Sequence, residues 1–463
     1  MKATPLLSPD TAARALQTVA RVAEQLSDPA HVEAVVRAGL NIPPGPAPRP
    51  MAPDLGHGPL GAAFLYGELA RTDDSKRGLA HQCIAHAAKG LATAPAHGLI
   101  GGPAALLAVT QTCAAAGNDY RDLRRKLAQQ LASHHIQLLA PDRPGTDTSP
   151  GVPWSHYDWI TGPSGTTRLL LDSADSPHET GPDVVEALET TLRHLTTLTE
   201  PVMVEGRSVP GWWVSARNQA APALTAEYPQ GFFDLGMAHG ITGPLSALCS
   251  ALDYGREVEG QRKAIETIVN WLLGWILHDE AGPYWPARVT LAEETATTRI
   301  TTAYTRTAWC YGSPGVAAAL HHAGTVLDRP DWCRTALTVL NTALSRNEER
   351  WELEGPTLCH GYAGFLLILT RIALATGDPG ITTGCRRLTD NLLDHTDDQA
   401  AFTFRRHARI APPGEHTENI TVLDSPGMLE GAAGIACALL TTARATQHTY
   451  TPQPWDRCLG LGP

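Results

Sequence analysis

The strongest constraint on how this chain can fold is a short turn that recurs seven times. Each copy is a Gly-x-x-Gly-like step, often with proline beside it, followed by a small and apolar run. The copies begin with Gly58-Pro59-Leu60-Gly61, the degraded Gly102-Pro103-Ala104-Ala105, and Gly162-Pro163-Ser164-Gly165. Gly240-Ile241-Thr242-Gly243, Gly312-Ser313-Pro314-Gly315, Gly361-Tyr362-Ala363-Gly364 and Gly431-Ala432-Ala433-Gly434 complete the set. Glycine permits the tight turn, and proline suits the first position of a helix, where its missing N–H costs nothing. The runs that follow predict helices buried nearly all round. Between them, residues 11–26, 76–91, 120–139, 182–198, 260–277, 332–344 and 381–393 place apolar side chains at helical spacing among polar ones.

One outer and one inner helix per repeat therefore predict an all-α fold of seven helical hairpins. Closed into a ring, the hairpins make an α/α toroid with no end repeats to cap. An open solenoid and an ordinary helical bundle are the alternatives; the irregular repeat lengths favour closure. A single domain over 1–463 is expected. Residues 199–235 fill the longest gap between turns and predict an insertion subdomain, with a β-hairpin at 202–214 around Glu205-Gly206-Arg207. Residues 41–53 read as a Pro-rich connection and 140–153 as a loop, while 284–308 and 402–423 read as long polar connections.

Composition narrows the partners. A formal net charge of −11 argues against a nucleic-acid ligand. No apolar run is long enough to span a bilayer, and the first ten residues do not resemble a secretion signal. Nine cysteines without a paired framework suit a reducing cytoplasm.

Two of the turns carry soft metal ligands. Trp309-Cys310-Tyr311-Gly312 and Cys359-His360-Gly361 together offer two thiolates and an imidazole. That is a three-ligand zinc set with one position left open, the catalytic arrangement. Buried packing cysteines are the plain alternative. Other turns place His239 and Glu430 just before a glycine and Asp158 four residues before one, and Arg306 stands one helical turn upstream of Cys310. In a closed ring all would meet at one mouth. Asp158 could equally cap a helix. His57 reads as a core or cap histidine. The remaining seven cysteines read as packing or surface residues, and the tryptophans at 212, 213, 271 and 275 as core residues rather than a peptide-binding platform.

Ala238-His239-Gly240, Trp309-Cys310-Tyr311-Gly312 and Cys359-His360-Gly361, set among seven fitting turns, resemble the lanthionine synthetase C family, the LanC cyclases. The resemblance implies an α/α toroid that closes thioether rings in ribosomally made peptides with one Zn²⁺ per chain. It implies Cys310, Cys359 and His360 as metal ligands, and Asp158, His239, Arg306 and Tyr311 as the residues lining the metal. The hairpin around Pro210-Gly211-Trp212 falls where bacterial members carry an insertion. Ala105 in the second turn and Ser164 in the third depart from the pattern away from the proposed chemistry. With no kinase, lyase or dehydratase segment in sight, the chain looks like a stand-alone class I cyclase.

The expected substrate is a dehydrated precursor peptide with its leader attached, the expected associates are the pathway dehydratase and transporter, and the expected place is the cytoplasm or a membrane-held biosynthetic complex. The expected reaction is Michael addition of a cysteine thiol to dehydroalanine or dehydrobutyrine. Zinc would acidify the thiol, and His239 would protonate the enolate, with Asp158 orienting it and Arg306 fixing Asp158 or the enolate. Rival readings are a LanC-like enzyme adding glutathione to dehydrated residues, and a non-catalytic zinc-bearing peptide-binding toroid. A prenyltransferase would need a basic diphosphate cluster and a glycosidase two acids without a metal; neither fits these motifs.

Overall fold

The computed structural model describes residues 5–38, 53–93, 98–114, 119–140, 150–219, 222–297, 306–410, 419–446 and 454–462. Nearly all of the Pro-rich connection at 41–53, most of the loop at 140–153, and parts of 284–308 and 402–423 lie outside them.

In chain order the helices are α1 (Pro9–Gln25), α2 (Pro29–Arg37), α3 (Gly61–Ala70), α4 (Arg77–Lys89), α5 (Gly102–Cys113) and α6 (Arg121–Leu138). There follow α7 (Pro163–Asp175), α8 (Pro182–Thr197), α9 (Pro222–Glu227), α10 (Thr242–Asp253), α11 (Gln261–Gly274) and α12 (Leu291–Glu294). The last are α13 (Ser313–Val326), α14 (Pro330–Ser345), α15 (Tyr362–Thr376), α16 (Pro379–Asp394) and α17 (Ala432–Ala445). Every expected helix is present, and α2, α9 and α12 are additional ones. The helices that follow the seven turns are α3, α5, α7, α10, α13, α15 and α17. Their sequences explain their burial: α15 is enclosed without a break from Ala363 to Ala373. Each fully buried Leu, Ile or Phe in such a run contributes about 1.5–3 kcal/mol. Proline at the first or second position starts α1, α2, α5, α7, α8, α13, α14 and α16.

The chain divides into two compact units. One comprises Met1–Ala96, Ile100–Asp119 and Glu352–Trp455; the other comprises His97–Leu99, Tyr120–Trp351 and Asp456–Pro463. In the first unit α15 packs on α17, α17 on α3 and α3 on α5, so the helix of the seventh turn neighbours that of the first. In the second, α7 packs on α10 and α10 on α13. More amphipathic helices back these, as α4 on α3, α16 on α15, α8 on α7 and α14 on α13.

Consecutive turns are joined by main-chain hydrogen bonds. In the first unit Cys359 N donates to Leu429 O (3.0 Å), Met428 N to Leu55 O (2.8 Å), Glu430 N to Gly56 O (2.9 Å) and Leu55 N to Ile100 O (2.7 Å). In the second, Leu99 N donates to Ile160 O (3.0 Å), Trp159 N to Ala238 O (3.0 Å) and Ala238 N to Cys310 O (3.2 Å). This belt explains the second glycine of the repeat. A Cβ on Gly434 would lie 1.7 Å from Met428 O, and one on Gly165 would lie 1.9 Å from Trp159 O. The first turns of α7, α13 and α17 sit directly on a carbonyl of the preceding turn.

Strands are short. β1 (Val202–Val204) and β2 (Arg207–Val209) form the expected hairpin, with Glu205 and Gly206 at positive φ in its turn. Beyond it, Val214 makes only an isolated bridge to Phe232. The described part of 284–308 is more than a connection. There β3 (Phe232–Asp234) pairs antiparallel with β6 (Arg288–Thr290), and β4 (Leu277–Asp279) pairs with β5 (Gly282–Tyr284). Likewise 402–423 holds most of a hairpin, β7 (Arg405–Ile410) with β8 (Asn419–Asp424). Strands of three residues are too short to leave a period in the sequence.

Candidate active site

In the second unit the third turn supplies Asp158, which is fully buried. Its Oδ1 accepts from the N–H groups of Thr161 (2.7 Å) and Gly162 (2.5 Å), satisfying donors in the loop that leads into α7. Its Oδ2 lies 2.5 Å from Nδ1 of His239, carried by the fourth turn. Asp158 thus holds the loop that leads into α7 and anchors the histidine at once. Because a carboxylate only accepts, Nδ1 carries the proton and Nε2 is the nitrogen left for chemistry. The imidazole stacks on Trp154, centroids 4.6 Å apart at an interplanar angle of 23°. Burial alone would push the His239 pKa down. The Asp158 hydrogen bond and the charges of Asp158, Asp234 and Cys310 outweigh it, and the pKa is raised.

The fifth turn supplies Cys310 and Tyr311. The β3–β6 pairing sets Asp234 opposite Arg288. Arg288 Nε donates to Asp234 Oδ2 (3.1 Å) and its Nη2 to the Tyr311 hydroxyl (2.9 Å), which in turn donates to Asp234 Oδ2 (3.2 Å). The guanidinium lies 5.1 Å from the Phe232 ring centre and 4.8 Å from that of Tyr311, within cation–π range. Burial, and then Asp234, push the Tyr311 pKa well above its ordinary value despite Arg288, so the phenol stays protonated. Tyr157 is pushed up in the same way.

In the first unit the sixth turn supplies Cys359 and His360. Glu354 N donates to His360 O (2.9 Å) and Tyr362 N to Gly355 O (3.1 Å), which folds the preceding loop against the head of α15. The His360 ring stands between two carboxylates, with Nε2 3.3 Å from Glu354 Oε2 and Nδ1 3.4 Å from Glu430 Oε1. Arg406 Nε, from β7, donates to Glu430 Oε2 (3.1 Å). Burial raises the Glu430 pKa, but His360, Arg406, His57 and a bond from Cys359 outweigh it and hold the carboxyl below its ordinary range.

Cys310 in the second unit, and Cys359 and His360 in the first, are the described residues that offer metal-ligand atoms as two thiols and one imidazole. Of the four residues expected to line the metal, Asp158, His239 and Tyr311 sit together: the His239 and Tyr311 rings are 6.3 Å apart. Arg306 stands half-buried at the head of the fifth turn, and the guanidinium bonded to Tyr311 is that of Arg288. Sequence reasoning did not find Arg288, Asp234, Glu354 or Trp154. Glu354 had a faint signal, an acid six residues before His360; the other three had none.

Comparison with known proteins places this arrangement. A family model described as "Lanthionine synthetase C-like protein" matches residues 49–459. The chain is 25% identical over 214 residues to "Nisin biosynthesis protein NisC" of Lactococcus lactis subsp. lactis, a match covering 46% of this chain and 48% of that protein. The match therefore spans about half the length of that curated relative. A solved structure, "Nisin cyclase", superposes with a TM-score of 0.69 at 20% identity, covering 88% of this chain and 92% of that one. At that identity the likeness shows the fold, and it is the expected helical toroid.

Proposed function

The chain belongs to the lanthionine synthetase C-like family, and on that premise we propose that it is a zinc-dependent lanthipeptide cyclase. It joins cysteine thiols of a dehydrated, leader-bearing precursor to dehydroalanine or dehydrobutyrine as (methyl)lanthionine rings. The observation that carries this reading is the donor set itself, two thiols and one imidazole carried by the fifth and sixth turns of a family member, one ligand short of tetrahedral. The donor set fits zinc, and the carboxylates beside His360 fit the outer shell that orients a ligating imidazole. Zinc held by Cys310, Cys359 and His360 would supply the acidity that turns a thiol into a thiolate near neutral pH.

The rest of the chemistry falls to this chain's own side chains. Ring closure forms one S–C bond at Cβ and pushes the alkene electron pair toward the carbonyl oxygen as an enolate. The enolate then needs a proton at Cα. His239 is the group to carry it, from thiol to Cα, so no proton is gained or lost overall. Asp158 fixes the imidazole through Nδ1, aims Nε2 and favours the protonated ring. Arg306 is assigned to the enolate oxygen as a fixed positive charge. Tyr311 commits its hydroxyl to Asp234 and Arg288, which makes it a rigid wall beside the histidine rather than a proton source.

No helix among the described residues is long and apolar enough to cross a membrane. A cytoplasmic enzyme working with the pathway dehydratase and transporter is part of the same proposal. The test is incubation with a dehydrated peptide bearing one free cysteine, followed by thiol alkylation and mass analysis. Protection of the cysteine supports the cyclase. Gain of glutathione in a parallel arm without ring closure would point to the glutathione-adding reading, and neither product would point to a binding protein.

A further inference from the structure

The segment Asp456–Pro463 belongs to the second unit, although its sequence carries no motif. It is thoroughly enclosed: Asp456 is fully buried, and Cys458, Leu459 and Leu461 are at most 8% exposed. Three consecutive carbonyls of this segment are each held by a side-chain donor. Trp159 Nε1 donates to Cys458 O (2.7 Å), Trp309 Nε1 to Leu459 O (2.8 Å) and Ser246 Oγ to Gly460 O (2.6 Å). The donors come from the third turn, the fifth turn and α10, the helix that follows the fourth turn. Trp159 is the neighbour of Asp158, and Trp309 is the neighbour of Cys310. Gly460 has φ +69°, and a Cβ there would lie 3.0 Å from both Ser246 Oγ and the Trp159 ring. Only glycine fits that position without strain.

We propose that Cys458–Gly460 is a positioning pin for the candidate site, with Trp159, Trp309 and Ser246 as the positioning residues through which it acts. It ties together the three turns that carry Asp158, His239 and Cys310. The main-chain belt links those turns edge to edge through Trp159 N to Ala238 O and Ala238 N to Cys310 O. The belt alone fixes their spacing along one line of hydrogen bonds. Three further bonds to one rigid segment remove the freedom to tilt about that line. Each indole is buried, and its N–H meets one of the last carbonyls of the short 3-10 helix Pro454–Leu459. The pin touches no reacting atom.

The inference rests on the cyclase reading, and the test keeps the two apart: no ring closure by the unaltered chain would defeat that reading alone. Against an active chain, Trp159→Phe, Trp309→Phe and Gly460→Ala are compared by single-turnover ring closure and by KM. A misplacement of about 1 Å far from the chemistry can cost about 10²-fold, so kcat should fall about tenfold or more. KM should stay within about twofold, because the substrate surface is intact. Trp351→Phe is the control, since its indole also donates to a buried carbonyl, Ala343 O at 2.7 Å. It should lower the melting temperature comparably and leave kcat unchanged. If a tryptophan variant does not fold, Ser246→Ala carries the test. A chain lacking residues 456–463 should also recover kcat when the synthetic peptide of that sequence is added. Wild-type kcat in the folded variants, or a loss no larger than that of Trp351→Phe, would overturn the proposal.

Discussion

Nδ1 of His239 lies 2.5 Å from Oδ2 of Asp158, across 81 residues of sequence. The same carboxylate accepts from the main-chain N–H groups of Thr161 and Gly162 through its other oxygen, so the aim of the imidazole is tied to the third turn. His239→Ala should keep bound zinc and close rings about 10²- to 10⁴-fold more slowly, the usual worth of a general acid–base group. Asp158→Asn should slow closure as well, and the double variant should be less than additive. Loss of zinc in His239→Ala would make the residue a ligand or a prop instead.

The pH dependence has a definite sign. Burial lowers the His239 pKa, yet Asp158 together with Asp234 and Cys310 raises it above its ordinary 6.5. The step that delivers a proton to Cα needs the protonated ring, which is present below that raised value and is lost as pH rises through it. Asp158→Asn removes a raising influence and should move this alkaline limb to lower pH. An unmoved limb in the rate profile would show that another group sets it.

Purified protein should carry about one zinc per chain. Cys310→Ala, Cys359→Ala and His360→Ala should each lower zinc content and stop ring closure, since two protein ligands hold the ion far less firmly than three. Metal analysis beside single-turnover assays checks this. Full occupancy in all three variants would remove the assignment. Glu354→Gln and Glu430→Gln, which leave the ligands in place but disturb the His360 ring, should weaken zinc affinity about 10- to 100-fold.

Arg288 and Asp234 form a buried pair, with side-chain exposures of 16% and 0%. Removing one member leaves the other charge stranded, which costs about 3–5 kcal/mol. Arg288→Met should lower stability by that order in denaturant titration and leave the Tyr311 hydroxyl bonded to Asp234 alone. The double variant Arg288→Met, Asp234→Leu should recover part of the loss. A stability equal to wild type in Arg288→Met would show that solvent already screens the pair.

The β1–β2 hairpin, within the proposed insertion at 199–235, has only two strands, and Met203 on β1 is 60% exposed. An extended leader could add as a third strand there. Replacing residues 203–208 with a short Gly-Ser loop should weaken precursor binding in calorimetry and leave closure of a leaderless peptide unchanged. Unaltered precursor affinity in the folded variant would place the leader elsewhere.

The sequence by itself determined the repeat and the chemistry attached to it. Local rules set both: glycine permits the turns, apolar runs bury the helices behind them, and Cys310 and Cys359 each stand two residues before a glycine, with His360 between Cys359 and Gly361. Even the burial of Trp212 and Trp275 was legible, because it follows from hydrophobicity. The tertiary structure decided what depends on residues far apart in the chain. The pairing of Asp234 with Arg288 comes from strands three residues long, too brief to leave a period. The carboxylates beside His360 come from a loop and from the neighbouring turn, brought in by main-chain bonds that every sequence can make. Why the second glycine is needed became visible only when Met428 O was found beneath Gly434. The bond from Trp159 to Cys458 O spans 299 residues and uses a carbonyl, which no side-chain pattern can announce. Side-chain chemistry is written along the chain, whereas main-chain partnership is identical at nearly every residue and is fixed only by folding.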